Sequence, residues 1–189
     1  KQPRSGAWSV LHLRHSSPMV SIIVPISAAN AEGVINLSRS AKAGGADLVE
    51  VRLDTCVKLG ADPQGIVAVL AKLALPAILT IRHASENGDW EVSDVDRVRL
   101  FNQAAVQGVA WIDVELAQWS ALTSAGLVRP PTTKLMMSYH DFDGMGQDLV
   151  ERIRAMKQAG AEVSKIAVCP RDAADLATIR DIYQTTKGP

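Results

Sequence analysis

The stretch Ala161-Glu-Val-Ser-Lys-Ile-Ala-Val168 indicates the fold class of this chain. It is a short, mainly apolar run with one lysine, Lys165, near its centre. Gly160 separates it from a segment of helical periodicity, in the position of a glycine that ends a helix in the left-handed conformation. A helix, a glycine stop and a near-continuous apolar strand are typical of parallel α/β structure. The chain is therefore predicted to be an α/β protein with a lysine inside one of its strands.

The same unit recurs along the sequence, and the strand centres follow one another at intervals of about 24–34 residues. That interval fits one βα unit with a right-handed crossover. The predicted strands cover residues 19–26, 47–53, 76–82, 110–115, 134–140 and 163–168, and the predicted helices cover residues 32–43, 64–73, 95–107, 118–125, 149–158 and 173–184. A complete (β/α)₈ TIM barrel usually needs ~250 residues. We therefore expect one domain over residues 1–189, either a six-stranded open α/β sheet or a barrel truncated at its C-terminus by two βα units.

Composition narrows the class of function. Twenty basic and 20 acidic residues balance, so the basic excess typical of a nucleic-acid surface is absent. No stretch approaches the ~20 apolar residues of a membrane span, and residues 19–26 fit a first strand better than a signal segment. The two cysteines, Cys56 and Cys169, are too few for a disulfide framework, which favours a reduced, cytoplasmic compartment. No metal-ligand spacing occurs, and no metal is predicted.

Charged residues cluster at the predicted strand ends, where parallel α/β folds collect their chemistry. Period-2 alternation puts Glu50, Arg52 and Asp54 on one face of the second strand. If that face points into a barrel, these three charges lie buried together. They must then either pair with one another in a structural cluster or bind a ligand.

Later strand ends repeat this pattern. Arg82 ends the third predicted strand and precedes a polar loop that contains Glu86. Asp113 and Glu115 share a face of the fourth strand, where they are predicted to orient a neighbouring lysine or arginine. His140 ends the fifth strand before a glycine-containing loop, and an imidazole there is suited to moving protons in both directions.

Lys165 is the residue on which the functional prediction depends. A lysine in a strand can be a charge that protects a sheet edge against aggregation. A neutral lysine amine can instead attack a ketone or aldehyde and form a Schiff base. We expect burial and two neighbouring arginines, Arg52 and Arg82, to favour the neutral amine.

Several short motifs in this order resemble the type I 3-dehydroquinate dehydratase family. The motifs are Glu50-Val-Arg-Leu-Asp54, Thr80-Ile-Arg82, Glu86-Asn-Gly88, Asp113-Val-Glu115, Ser138-Tyr-His-Asp-Phe142 and Gly160-Ala-Glu-Val-Ser-Lys-Ile-Ala167. Each motif alone is weak, but the series covers most of the chain from about residue 22 onward. The resemblance implies a (β/α)₈ barrel that converts 3-dehydroquinate to 3-dehydroshikimate in the shikimate pathway of aromatic amino acid biosynthesis, with no cofactor.

The resemblance also implies residue roles. Lys165 would form an imine with the C3 ketone of 3-dehydroquinate, and His140 would remove a proton from C2 and then donate one to the departing C1 hydroxyl. Glu86 would support this histidine. Glu50, Arg52 and Arg82 match residues that hold the substrate's hydroxyls and help to order the site.

The family's seventh and eighth units supply an arginine for the substrate carboxylate, with a serine and a glutamine near it, and the present sequence stops at Pro189. The isolated chain is therefore expected to be inactive or weak. The family often forms homodimers, and a fusion to another shikimate-pathway domain fits the resemblance. Two alternatives stay open, namely another Schiff-base aldolase and a non-enzymatic dehydratase-like domain used for binding or regulation.

Overall fold

The structure is a computed structural model that describes residues 20–186. Six parallel strands form one curled sheet in which each strand pairs with the next one along the chain, in the order β1-β2-β3-β4-β5-β6. The strands are β1 Ile23–Ile26, β2 Leu48–Arg52, β3 Ala77–Thr80, β4 Trp111–Glu115, β5 Lys134–Asp141 and β6 Val163–Val168. Sequential parallel pairing is the winding of a (β/α) barrel, and the six strands make a half-barrel.

Helices connect the strands and cover the outer face of the sheet. They are α1 Ala31–Ala43, α2 Leu53–Lys58, α3 Pro63–Val67, α4 Asp94–Val106, α5 Trp119–Ser124, α6 Leu149–Gln158 and α7 Ala173–Thr186, with short 3₁₀ turns at Leu70–Lys72, Ala84–Glu86 and Leu116–Gln118. Side-chain oxygens cap several of these helices: Asn30 accepts from the Gly33 amide at α1, Asp62 from the Gly65 amide at α3, and Ser93 from the Asp96 amide at α4.

Strand alternation separates the core from the polar interior of the half-barrel. Along β4, Ile112 and Val114 are buried in the apolar core, whereas Asp113 and Glu115 point to the opposite face and are fully buried as well. The same alternation sends Glu50 of β2, Thr80 of β3 and Ser138 of β5 to the inner face, together with Lys165 of β6. This polar inner face is where the predicted site residues meet.

Several predicted element boundaries were wrong, and the first of them is β1, which begins at Ile23 after the non-strand residues 20–22. The region 53–58 folds as α2, so Asp54 lies in a helix and not on the strand face with Glu50. The predicted helix over residues 64–73 is divided into α3 and a 3₁₀ turn. The third strand ends at Thr80, and Arg82 therefore follows it. Met19, where the first strand was predicted to begin, and the two ends of the predicted domain lie outside the described residues.

Within residues 20–186, none of the helices is both long and apolar enough to span a lipid bilayer. The same part of the chain contains no group of three or more His, Cys, Asp or Glu side chains arranged to hold a metal ion.

Candidate active site

Lys165 projects from β6 into the polar interior of the half-barrel. Its Nζ atom lies 3.1 Å from Oε1 of Glu50 and 3.2 Å from Oδ2 of Asp113, so strands β2 and β4 both contact the amine. Its side chain is 29% exposed, which leaves the amine accessible from the open side of the sheet. A cavity of about 460 Å³ lies beside it, lined by Glu50, Ile78 and Met136 among others.

The two arginines that were expected beside the amine each bind carboxylates of their own. Arg52 makes a two-pronged contact with Asp54, at 3.0 Å from Nε to Oδ1 and 2.6 Å from Nη2 to Oδ2. This hydrogen bond raises the pKa of Arg52 above its ordinary value, although burial opposes the change. The charged atoms in direct contact with Lys165 are carboxylate oxygens, and Arg82 approaches the amine through the Asp113 Oδ2 atom that both residues contact.

Asp113 is the acidic centre of the interior. Its carboxylate is fully buried and accepts hydrogen bonds from Ser138 Oγ, Arg82 Nη2 at 3.2 Å and Lys165 Nζ at 3.2 Å. Burial raises the pKa of Asp113, but the charges of Arg82 and Lys165 together with the hydrogen bonds from Ser138 and Lys165 outweigh that effect, and the pKa lies below its ordinary value. An ionised carboxylate can therefore persist here at neutral pH.

Arg82 is a buried member of the same network, with 3% of its side chain exposed. Nη1 donates to Glu115 Oε1 at 2.9 Å and to Ser138 Oγ at 2.7 Å, and Nη2 donates to Asp113. The fork of the guanidinium thus joins β3 to β4 and β5. These contacts suit a residue that orders the site better than one that directly holds a substrate hydroxyl.

Glu50 occupies the β2 side of the interior. Its Oε1 atom accepts from Thr80 Oγ1 at 2.8 Å and also contacts Lys165 Nζ. The side chain is 13% exposed, so the carboxylate stays within reach of the cavity beside the lysine.

His140 and Glu86 form a second unit at the carboxyl end of β5. One carboxylate oxygen of Glu86, Oε2, lies 2.9 Å from His140 Nδ1 and 3.1 Å from the His140 amide nitrogen. A carboxylate can only accept, so the ring nitrogen that faces it is the one that donates, and in the neutral imidazole Nε2 then carries the lone pair. Phe142 stacks against the imidazole with 5.9 Å between the ring centroids. This histidine is oriented as a base that would use Nε2.

The loop that carries Glu86 is tightly folded. His83 Nδ1 accepts from the Ser85 amide and caps the 3₁₀ turn, Asn87 adopts a left-handed conformation with φ 61°, and the Gly88 amide returns to the His83 carbonyl at 3.0 Å. A Cβ atom at Gly88 would lie 1.9 Å from the Arg82 carbonyl oxygen. Only glycine permits this close approach.

A chain of contacts joins the amine to the imidazole. Lys165 contacts Asp113, Asp113 contacts Arg82, and Arg82 Nη1 lies 3.9 Å from the Glu86 oxygen that holds His140. Ser138, the register partner of Lys165, lies two residues before His140 and therefore on the same face of β5. All six predicted site residues lie on or beside this inner face. His140 itself does not line the cavity beside Lys165.

Sequence reasoning missed one member of this network, Arg97. Its side chain comes from α4, is fully buried and donates to Glu115 Oε2 at 2.7 Å. The available signal was its spacing with Phe101 and Ala104, which places an arginine on the buried stripe of an amphipathic helix. A larger cavity of about 560 Å³ lies on the outer face of β6, between α6 and α7. It carries none of the predicted site residues.

Chemically, the inner face offers an amine in contact with two carboxylates and an imidazole whose Nδ1 faces a third. An amine can capture a ketone as an imine, and a positioned imidazole can move the proton next to it. This combination suits the removal of a proton beside a carbonyl, followed by elimination.

Comparison with known proteins identifies the same family that the sequence motifs resemble. Residues 22–188 match the family profile described as Type I 3-dehydroquinase. The chain is 32% identical to a 3-dehydroquinate dehydratase of Klebsiella pneumoniae (strain 342) over 195 aligned positions, which cover 97% of this chain and 76% of that protein. It is 29% identical to the Arabidopsis thaliana bifunctional 3-dehydroquinate dehydratase/shikimate dehydrogenase, with 89% of this chain and 28% of that protein covered. The structure superimposes on 3-dehydroquinate dehydratase from Geobacillus kaustophilus HTA426 with a TM-score of 0.76 at 21% identity, covering 89% of this chain and 69% of that one.

Proposed function

Since the chain belongs to the type I 3-dehydroquinase family, we propose that it converts 3-dehydroquinate to 3-dehydroshikimate through an imine on Lys165. The observation that carries the proposal is the shared inner face, on which Lys165 and the His140–Glu86 pair are linked through Asp113 and Arg82. The reaction is a dehydration, so the enzyme is a hydro-lyase of the shikimate pathway.

In the first step, the Lys165 amine attacks the C3 ketone. The resulting carbinolamine loses water to give the imine, which becomes an electron sink when it is protonated. Glu50 and Asp113 both contact the Lys165 nitrogen, so the two carboxylates lie where they can hold the positive charge of the protonated imine.

In the second step, Nε2 of His140 removes the proton from C2, and the C–H electron pair moves into the imine to form an enamine. The enamine then expels the C1 hydroxyl, which leaves as water with the proton that His140 returns. Glu86 keeps the second ring nitrogen occupied, so the imidazole accepts and releases the proton at one atom. Hydrolysis of the product imine frees Lys165.

Substrate positioning falls to the residues near the opening of the cavity. Glu50, which is partly exposed, is placed to accept from a substrate hydroxyl, and Arg52 borders the site with 29% of its side chain exposed. Arg82 acts by ordering the network. Because Arg52 and Arg82 are both committed to carboxylates, a substrate carboxylate would have to compete for them, and we expect weak substrate binding by these 189 residues.

Borohydride trapping tests the proposal directly. The protein is incubated with 3-dehydroquinate, reduced with borohydride and digested, and mass spectrometry locates the modified lysine. We expect the adduct on Lys165, its loss in Lys165→Met, and its retention in Lys42→Met, which removes an exposed lysine at the end of α1. Failure to modify Lys165 at saturating ligand would refute the imine.

The same experiment separates the alternatives. Imine formation without conversion of 3-dehydroquinate to 3-dehydroshikimate would favour another Schiff-base chemistry on this fold. Binding of the ligand without any imine would favour a dehydratase-like domain with a binding or regulatory role.

Two further proposals concern the protein's setting. A cytoplasmic location is supported by the two free thiols of Cys56 and Cys169. Homodimer formation is a second proposal, and sedimentation at several protein concentrations tests it. Fusion to shikimate dehydrogenase is a property of the Arabidopsis relative.

A further inference from the structure

Arg97 is a fully buried arginine that reaches the end of β3 from α4. Its Nη2 atom donates to the Ile81 carbonyl oxygen at 2.8 Å and to Glu115 Oε2 at 2.7 Å. The other oxygen of Glu115, Oε1, accepts from the His83 amide at 3.0 Å and from Arg82 Nη1 at 2.9 Å. Arg97 and Glu115 therefore contact three consecutive residues, 81 to 83.

These three residues lie where the chain leaves the sheet. β3 ends at Thr80, so the polar groups that follow need partners outside the regular strand ladder. The Arg97–Glu115 pair supplies a donor to one carbonyl and an acceptor to one amide. The pair thus fixes the exit of the chain from β3.

The conformation of the loop at residues 83–88 depends on how the chain leaves β3. The His83 carbonyl accepts from the Glu86 amide at 2.9 Å and from the Gly88 amide at 3.0 Å. Glu86 in turn holds both the ring and the amide of His140. A continuous set of hydrogen bonds therefore runs from Arg97 through Glu115 and His83 to the carboxylate that orients the imidazole.

A contribution to the free energy of unfolding does not explain why Arg97 is buried. Two of its nitrogens, Nε and Nη1, are buried with no hydrogen-bond partner among the described residues, and the nearest Asp94 carboxylate oxygen is 3.9 Å from Nη1. Buried ion pairs of this kind often stabilise a fold no better than apolar side chains of similar size. The feature that an apolar residue could not reproduce is the fixed position of Glu115 and of the backbone at residues 81–83.

We propose that Arg97 is a positioning residue of the dehydration reaction, acting through Glu115 and the 83–88 loop to hold Glu86 against His140. The inference rests on the proposed function of His140 as the proton-transfer group. Arg97 does not contact the substrate, and it acts on the tautomer and orientation of the imidazole.

Nitrogen-15 NMR of the histidine side chains tests this proposal, because the two ring nitrogens report which of them carries the proton. His140 is assigned by comparison with His140→Asn. We expect Nδ1–H to be the major tautomer in the unmodified protein and the minor one in Arg97→Met. Arg97→Lys, which keeps the charge and one donor group, should restore part of the Nδ1–H signal.

Phe101→Leu is the matched control. Phe101 is fully buried one helical turn after Arg97 on the same face of α4, so its truncation loosens the same packing without touching Glu115. We expect it to lower the melting temperature and to leave the His140 tautomer unchanged. If Arg97→Met does not fold, Arg97→Gln is measured in the same way.

An unchanged His140 tautomer in the Arg97 variants would overturn the inference, as would an equal change in Phe101→Leu. Borohydride trapping on Lys165 is run in parallel on the unmodified protein. Absence of the adduct there would remove the proposed function while leaving the structural coupling measurable, so the two failures are distinct.

Discussion

Replacing the central carboxylate by Asp113→Asn perturbs the site at the point where most of its contacts meet. The buried carboxylate accepts from Ser138, Arg82 and Lys165. At ~1.5–3 kcal/mol for each hydrogen bond to a charged group, three such bonds would sum to about 4.5–9 kcal/mol. Arg82 and Lys165 keep other partners, so the expected loss is nearer the ~3–5 kcal/mol of breaking one buried ion pair.

Urea unfolding measures this loss. With a slope of roughly 2 kcal/mol per molar urea, the midpoint should fall by about 2 M. Asp181→Asn is the control, because Asp181 forms an ion pair with Arg180 while 69% of its side chain is exposed. Such surface pairs contribute ~0–1 kcal/mol. A loss for Asp113→Asn as small as the control would show that the network does not hold the interior together. Ser138→Ala removes only the hydroxyl from the same network, so it should lower the free energy of unfolding by less than Asp113→Asn does.

The pH dependence of the same pair gives an independent check. Burial opposes ionisation of Asp113, but Arg82 and Lys165 bring its pKa in the folded protein below the ordinary value, whereas in the unfolded chain the pKa is ~3.9. A depressed pKa stabilises the folded state fully above the unfolded value, and this contribution is lost as pH falls through ~3.9 toward the folded pKa. The difference in unfolding free energy between the unmodified protein and Asp113→Asn should therefore be constant near neutral pH and shrink below about pH 4. A difference that grows on acidification would contradict this assignment.

Two further substitutions test the loop that carries Glu86. Glu86→Gln should preserve borohydride trapping on Lys165 but slow product formation by at least ~10-fold and at most the ~10²–10⁴-fold that general acid–base catalysis contributes, because His140 loses its carboxylate partner. Normal turnover would count against that role. Gly88→Ala should destabilise the protein by about 1–3 kcal/mol or more, because the new Cβ would lie 1.9 Å from the Arg82 carbonyl oxygen. Gly44→Ala is the control, since a Cβ at Gly44 has 3.4 Å to its nearest atom. The melting temperature of Gly44→Ala should be close to that of the unmodified protein. Equal melting temperatures for the two glycine variants would refute the tight-loop interpretation.

The strands were predictable because apolar runs, glycine stops and period-2 alternation are local signals. Alternation alone placed Asp113 and Glu115 on one face, and their predicted role, orienting a lysine or an arginine, is confirmed by their contacts with Lys165 and Arg82. The first helix after β2 was missed because the chain turns inside a six-residue stretch, Leu53–Lys58. Its β-branched threonine and valine favour a strand locally, and tertiary packing overrides that preference.

Pairing inside the half-barrel could not be predicted in the same way. A sequence shows that arginines and carboxylates share strand ends, but it does not show which guanidinium meets which carboxylate. Arg82 was expected near the amine and does share Asp113 Oδ2 with Lys165, but the sequence could not show that its guanidinium also binds Glu115 and Ser138. Arg97 comes from a helix, so its arrival behind β4 depends on how α4 packs, which no local pattern specifies.

The carboxylates around Lys165 are consistent with imine chemistry once the charges are followed through the reaction. Glu50 and Asp113 both contact the Lys165 nitrogen, at 3.1 and 3.2 Å. The protonated imine carries its positive charge on this nitrogen, so the two carboxylates stabilise the species that withdraws electrons when the C2 proton leaves. Groups that hold the charge of this intermediate lower the barrier to proton removal. The inner face is therefore arranged to hold the charge of the imine from which the C2 proton leaves.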